Sequence, residues 1–198
     1  MPYLKEHNLI FIHIPKTGGT SIEKAFGIYR KWDYSKLIHT KESVKNGITT
    51  APQHWTPDLI EQYLGREVYN NSTKFTIVRN PYTRVLSEYF YRHKSAGTMD
   101  HFHKWFPKYY SNIDHDHKLP QYLYTNTTVD YIAKTESLQE DFISFVSHFN
   151  IKVNPLLEHK NKTKFNKQQL VNQIDSSIID KINLLYEKDF LTFGYDFR

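Results

Sequence analysis

A glycine-containing turn near the start of the chain has the residue types that bind a phosphate-like anion. The turn is His13-Ile14-Pro15-Lys16-Thr17-Gly18-Gly19-Thr20-Ser21, between an apolar segment and a helix-forming one. Its two glycines let several backbone N–H groups converge on one anion. The start of the following helix adds partial positive charge. Lys16 adds a full charge, and the hydroxyl groups belong to Thr17, Thr20 and Ser21.

This turn differs from the phosphate loop of ATP-dependent enzymes. That motif has four residues between its glycines and places a lysine and a Ser or Thr after the second. Here Lys16 precedes the glycine pair, and no carboxylate suited to magnesium ends the next strand. An ATP-dependent kinase is therefore an alternative function and not the preferred one.

A second segment repeats the order of strand, turn and helix. Arg79 follows the apolar run from Lys74 to Val78, and Asn80-Pro81 opens a helical pattern. On that helix Arg84, Ser87 and Tyr91 are spaced to share one side. We expect Arg79 and Ser87 to contact a single phosphate, the arginine through its planar fork and the serine through its hydroxyl.

The apolar pattern indicates how these turns are positioned. Strands are predicted at Leu9–Ile14, Lys74–Val78 and Val129–Ile132. Helices are predicted from Thr20 to Phe26, from Thr56 to Leu64, after Pro81, after a capping box at Ser137–Glu140, and around Ile178–Tyr186. This alternation predicts an α/β fold with a central parallel sheet flanked by helices. Both turns then lie at the carboxyl edge of the sheet, where ligands bind in such folds. Ser95–Leu119 lacks a clear period and is predicted to form loops or short helices on the substrate side.

Composition restricts the other possibilities. The 198 residues fit one domain, residues 1–198, and the absence of cysteine excludes disulfides and thiolate metal sites. No apolar run reaches the length of a membrane span, so we expect a cytoplasmic protein. The net charge of +5 suits anionic ligands of several kinds, and a non-catalytic binder of anionic polymers is a second alternative. The basic residues are scattered along the chain, so the charge alone does not choose among these partners. Nucleic acid is not among the partners that we expect.

The two turns together resemble the 5′-phosphosulfate loop and the 3′-phosphate signature of sulfotransferases that use 3′-phosphoadenosine 5′-phosphosulfate (PAPS). The likeness is to the branch that includes heparan sulfate 2-O-sulfotransferase and its bacterial relatives. It continues in Val129–Leu138 and in Tyr186–Tyr195. It implies a P-loop-like three-layer domain that transfers a sulfuryl group from PAPS to a hydroxyl of a glycan or small metabolite. The product is 3′-phosphoadenosine 5′-phosphate (PAP), and no metal is required.

The resemblance also implies roles for single residues. Lys16 would contact the bridging oxygen of the donor, and Gly18, Gly19, Thr20 and Ser21 would hold its 5′ end together with Thr17. Arg79 and Ser87 would hold the 3′-phosphate. A late loop that closes over the nucleotide would supply Asn161, Lys162 and Thr163. Where relatives carry an arginine and an aromatic residue, this chain has Lys134 and Thr135.

Transfer requires a group that accepts the proton of the hydroxyl, and a neutral histidine suits that role near pH 7. His54, just before the Thr56 helix, matches the position of a histidine in the family, so the resemblance suggests it as the base. His13 is expected to face the interior. The pairs His101/His103 and His115/His117 could hold zinc on strands, but their context predicts a substrate-facing or solvated loop.

Overall fold

A four-stranded, mostly parallel sheet forms the centre of the protein. The structure, a computed structural model, describes residues 3–28, 43–45, 47–94, 97–157 and 167–198. The strands are β1 (Tyr3–Leu4), β2 (Leu9–Ile12), β3 (Ser43–Lys45), β4 (Ile48–Thr50), β5 (Thr73–Val78) and β6 (Tyr131–Lys134). The sheet has the order β1-β2-β5-β6, with β2, β5 and β6 parallel and β1 antiparallel to β2. β3 and β4 form a separate hairpin.

Helices cover both faces of this sheet. They are α1 (Gly19–Ala25), α2 (Pro57–Leu64), α3 (Arg66–Asn71), α4 (Pro81–His93), α5 (Met99–Tyr109), α6 (Leu138–His148), α7 (Lys167–Val171), α8 (Ser176–Leu185) and α9 (Glu187–Phe193). Leu9 and Phe11 of β2 pack with α1 and α6 on one face. Ile10 and Ile12 pack with α2 and α3 on the other. Both faces of β2 are buried, which explains its uninterrupted apolar sequence, and the predicted α/β fold is confirmed.

Local signals set several boundaries correctly. α2 begins at Pro57 and ends at Leu64, and the φ of 82° at the next residue, Gly65, is in the left-handed region that glycine favours. At the start of α4, the side chain of Asn80 accepts hydrogen bonds from Tyr82 N and Thr83 N. That cap directs the chain from the end of β5 into the helix, and it fixes Arg79 at the turn between them.

Two predictions about the elements were wrong. The third strand begins at Tyr131 and not at Val129, because the Asp130 carboxylate accepts a hydrogen bond from Lys74 N before the ladder starts. The capping box does not form, since the Ser137 hydroxyl donates to Asp141, which also accepts from Lys134 N. The Ser95–Leu119 region, predicted to form loops or short helices, contains helices in its described part.

That region contains an eleven-residue helix, α5, which is largely part of the core. Phe102 and Phe106 of α5 are fully buried against α4 and α8. The aromatic residues repeat at a spacing of four, so they form an apolar stripe on one side of the helix. Pro107 lies inside the helix. Within the described residues, no helix is long and apolar enough to cross a membrane.

Candidate active site

The first turn folds as a tight loop between β2 and α1. Lys16 and Gly18 both have positive φ, 70° and 96°, so the backbone curls between them. Thr17 is fully buried, and its hydroxyl donates to the carbonyl oxygen of Ile14 at 2.9 Å. The hydroxyl of Thr135 donates to the carbonyl oxygens of Thr17 and Val78, at 2.6 and 3.0 Å. Thr135 therefore fixes this loop to the end of β5.

The second turn lies directly beside the first. The guanidinium of Arg79 donates to Lys16 O at 3.2 Å and to the Thr83 hydroxyl at 2.9 Å. Its backbone is held by Gln121, which accepts from Arg79 N and donates to Arg79 O, both at 2.8 Å. Burial lowers the pKa of Arg79. The two turns that the sequence predicts to bind anions, 63 residues apart in sequence, are therefore in direct contact in the fold.

A cavity of about 250 Å³ opens where the two turns meet. Its lining residues are His13, Lys16, Gly18, Gly19, Thr20, Ser21, Gln53, His54, Arg79, Ser87, Tyr91, His117 and Lys167. Eight of these are residues that the sequence predicted for the site. Thr17 is not brought to the cavity, because it lies beneath the loop. Asn161, Lys162 and Thr163 fall outside the described residues.

Positive charge is concentrated in this cavity. Burial lowers the pKa of Lys16 to about 8, and the nearby cations Lys167 and Arg79 act in the same direction. Burial also lowers the pKa of Lys167 to about 8, with Arg79 contributing. The ammonium group of Lys16 lies 3.6 Å from the centre of the Tyr91 ring, a cation–π contact. An anion in this cavity would stabilise the protonated form of both lysines.

His13 and Glu23 form a buried pair on one wall. Nδ1 of His13 lies 2.7 Å from the Glu23 carboxylate, which also accepts from the Gln53 side chain at 2.8 Å. Burial alone would raise the pKa of Glu23, but His13 and Gln53 hold it below its usual value. A Cβ on Gly19 would lie 2.4 Å from the His13 ring. Gly19 is therefore required for close approach between α1 and this histidine.

His54 occupies the centre of the wall, between two other histidines. Its ring centroid is 4.9 Å from that of His13 and 5.2 Å from that of His117. Nδ1 is buried and has no hydrogen-bond partner among the described residues, and Asp116 Oδ2 lies 3.6 Å away. Burial, followed by the two neighbouring histidines, holds the pKa of His54 well below its usual value. The ring is therefore neutral near pH 7.

His117 has a different environment. Its Nδ1 lies 2.8 Å from the carboxylate of Glu88, a residue that is only 1% exposed. The same carboxylate accepts from Arg92 Nε at 2.5 Å and from the Tyr109 hydroxyl at 2.8 Å. Burial would raise the pKa of Glu88, but these three donors lower it to about 2. The side chain of His117 therefore faces a carboxylate that is ionised at neutral pH.

Arg84 connects the first turn to the segment that carries His117. It is buried, and it donates to the carbonyl oxygens of Pro15, Leu119 and His117 at 3.1, 2.9 and 3.4 Å. The three residues that were predicted to share one side of α4 therefore lie at different depths. Ser87 and Tyr91 line the cavity, whereas Arg84 lies beneath it as a structural residue.

A group of side chains beside the cavity could in principle bind a metal ion. His54, Asp116 and His117 each offer a ligand atom within 4.8 Å of the others. However, Asp116 Oδ2 already accepts from Ala51 N, and Arg84 lies beside these residues. Neighbouring cations oppose a further positive charge, so we do not assign these residues to a metal.

The other predicted pair of histidines does not form a ligand set. His101 Nδ1 lies 3.0 Å from the Tyr89 hydroxyl, and His103 Nε2 lies 3.0 Å from Gln173 O. Both residues are on α5, where positions two apart face different directions. The zinc alternative for His101 and His103 therefore has no support in the described part of the chain.

Sequence reasoning did not predict Gln53 or Lys167 as cavity residues. Gln53 directly precedes His54, and that proximity was the one signal available. Lys167 lies at the start of α7, far along the chain, and the sequence contains no motif around it.

One comparison with known proteins gives a match. A family model described as the sulfotransferase family matches residues 3–196. No curated protein and no solved structure gives a significant match.

Proposed function

The chain belongs to the sulfotransferase family, and from this premise we propose that it transfers a sulfuryl group from PAPS to a hydroxyl group of an acceptor. One observation supports PAPS in particular. The Lys16 loop and the Arg79 turn border the same cavity, and the guanidinium of Arg79 contacts the loop directly. Two anion sites side by side suit a nucleotide with phosphate groups at both its 5′ and 3′ positions.

The roles of the nucleotide-binding residues follow from their places in the cavity. Lys16 would neutralise the oxygen that bridges sulfur and phosphorus. The 5′ end would be held by the amides and hydroxyls of Gly18, Gly19, Thr20 and Ser21. The 3′-phosphate would be bound by Arg79 and Ser87. We keep Asn161, Lys162 and Thr163 as candidates for a closing loop, since Lys167, shortly after them, lines the cavity.

The chemistry is mainly positioning and charge stabilisation. Sulfuryl transfer resembles phosphoryl transfer, in which a loose transition state leaves little covalent work for the protein. Negative charge develops on the leaving phosphate oxygen, where the lysine and loop amides can stabilise it. The acceptor hydroxyl loses a proton, and His54 is our candidate base because it is neutral and lines the cavity.

The proposed acceptor is a carbohydrate hydroxyl, with a small metabolite as the alternative. This choice rests on the resemblance to carbohydrate sulfotransferases. A screen of glycan and metabolite acceptors with PAPS labelled in its sulfuryl group identifies the acceptor. Transfer of label to a carbohydrate is the expected result, and transfer only to other compounds would contradict the carbohydrate assignment.

Thermal stabilisation tests the donor without knowledge of the acceptor. A ligand that binds only the folded state, at a hundredfold excess over its Kd, stabilises it by about 2.7 kcal/mol. We expect PAP to raise the melting temperature by the amount that corresponds to this free energy, and ATP with magnesium to raise it much less. Equal or greater stabilisation by ATP with magnesium would favour a kinase.

A further inference from the structure

A second histidine of the cavity, His117, is built as a proton acceptor. Its Nδ1 is 2.8 Å from the buried carboxylate of Glu88. Among the residues that the structure describes, none hydrogen-bonds to the other ring nitrogen, Nε2. The side chain is 20% exposed and lines the cavity. A carboxylate behind one nitrogen fixes the tautomer and orientation of the ring, as in catalytic triads.

His54 and His117 differ in the distance from each ring to its nearest carboxylate. A charged His54 would lie in a buried position between two other histidines, and its nearest carboxylate, Asp116, is 3.6 Å away. A charged His117 would lie in hydrogen-bond contact with Glu88. Because opposite charge in contact stabilises an imidazolium, Glu88 can compensate a charge that develops on the His117 ring, whereas His54 has no carboxylate in hydrogen-bond contact among the described residues.

We propose that His117, held by Glu88, is a second catalytic residue of the sulfuryl transfer and that the proton of the acceptor hydroxyl comes to rest on its Nε2. This inference rests on the proposed function. The acceptor oxygen forms a bond to sulfur, and the bond from sulfur to the bridging oxygen breaks. Its electron pair goes to the 5′-phosphate of PAP. The proton leaves the acceptor oxygen for the His54–His117 pair and remains on His117.

The geometry of the pair supports shared handling of the proton. The two rings are nearly parallel, at 29°, with centroids 5.2 Å apart, so one acceptor or water oxygen can contact both. Glu88 is a positioning residue in this scheme, because it acts through His117. Arg92 and Tyr109 hold its carboxylate in place, and Arg84 holds the backbone of His117.

Single and double substitutions test the proposal with PAP release from PAPS as the assay, using the acceptor found in the screen, or water. We expect His117→Asn to lower kcat by about 100-fold or more, with the KM for PAPS and the Kd for PAP changed less than about threefold. Glu88→Gln keeps the shape of the side chain and removes its charge, so it should lower kcat by about 10-fold or more with the same unchanged KM.

His115→Asn is the matched control, because His115 belongs to the same short segment and contacts Tyr109 but does not line the cavity. It should retain kcat within about threefold. Residues that act as a unit are not additive. The kcat of the double variant of His54→Asn and His117→Asn should therefore be about as low as that of the more damaging single variant.

Several results would overturn the proposal. A folded His117→Asn variant with near-normal kcat, beside a His54→Asn variant that loses 100-fold, would assign the proton to His54 alone. If His117→Asn fails to fold, a normal kcat in Glu88→Gln would likewise assign the proton to His54 alone. Loss of wild-type activity in a chelator, restored by zinc, would assign His54 and His117 to a metal. Wild-type protein that neither binds PAP nor uses PAPS would contradict the proposed function itself.

Discussion

Raising the pH from 7 to 9 should weaken the binding of PAP, because two lysines of the cavity lose their charge in that interval. Lys16 and Lys167 each have a pKa of about 8, lowered mainly by burial. Both line the cavity proposed for the nucleotide. A bound phosphate favours the protonated form of each lysine, so the complex keeps protons that the free protein has lost.

The size of the effect follows from the fraction protonated. A lysine with a pKa of about 8 is about nine-tenths protonated at pH 7 and about one-tenth protonated at pH 9. If the pKa in the complex lies well above 9, each lysine weakens binding by about tenfold, or about 1.4 kcal/mol. Both lysines together give an upper limit of about 100-fold. PAP does not titrate in this range, because the second pKa of a phosphate monoester is about 6.

Calorimetry of PAP binding at pH 7, 8 and 9 measures this dependence. Lys16→Ala and Lys167→Ala should each bind PAP more weakly at pH 7. In each variant, the loss of PAP affinity between pH 7 and pH 9 should be about tenfold smaller than in the wild type. Adenosine, which has no phosphate, provides the matched control ligand. Two results would refute the assignment of these lysines to the phosphates. One is a wild-type affinity for PAP that is constant from pH 7 to 9, and the other is a change of affinity with pH that is the same in both variants as in the wild type.

Three further substitutions test other parts of the site. Arg79→Ala should weaken PAP by 10-fold to more than 100-fold, about 1.5–3 kcal/mol, and should weaken adenosine 5′-phosphosulfate much less. Equal losses in calorimetry would mean that Arg79 does not bind the 3′-phosphate. Arg84→Lys should lower the free energy of unfolding by about 2–4 kcal/mol in urea titrations, because lysine cannot reach three carbonyl groups at once. An unchanged midpoint of urea unfolding would contradict the structural role of Arg84. Gly19→Ala should cost about 1–3 kcal/mol by displacing the His13 ring, and a crystal structure with that ring in place would contradict the predicted clash.

The sequence predicted those parts of the fold that depend on local signals. The strand at Leu9, the turn at Gly18 and the helix between Thr56 and Gly65 were all placed close to their observed bounds. In each case glycine, proline or a capping residue fixes the backbone within a few residues. The adjacency of the two turns was predictable as well, because parallel strands β2 and β5 present their carboxyl ends at one edge.

Features that depend on distant contacts were not predicted. α5 carries polar and histidine residues among its aromatic ones, and only its packing on α4 and α8 shows which side is buried. Ser137 has the residue type of a cap, but Asp141 binds its hydroxyl in the fold. The partnership of His117 with Glu88 joins residues 29 positions apart, and no periodicity in the sequence indicates such a pair.

The three contacts of Arg84 also determine when the cavity can form during folding. Its acceptors lie 69, 35 and 33 residues away along the chain, so the contacts close long loops before they contribute stability. Loop closure of this kind is slow and entropically costly. A nascent chain that ends before Leu119 already has Arg84 and Pro15 O but lacks Leu119 O, the acceptor in the shortest of the three contacts. We therefore expect the cavity to form late in folding, after these long loops have closed.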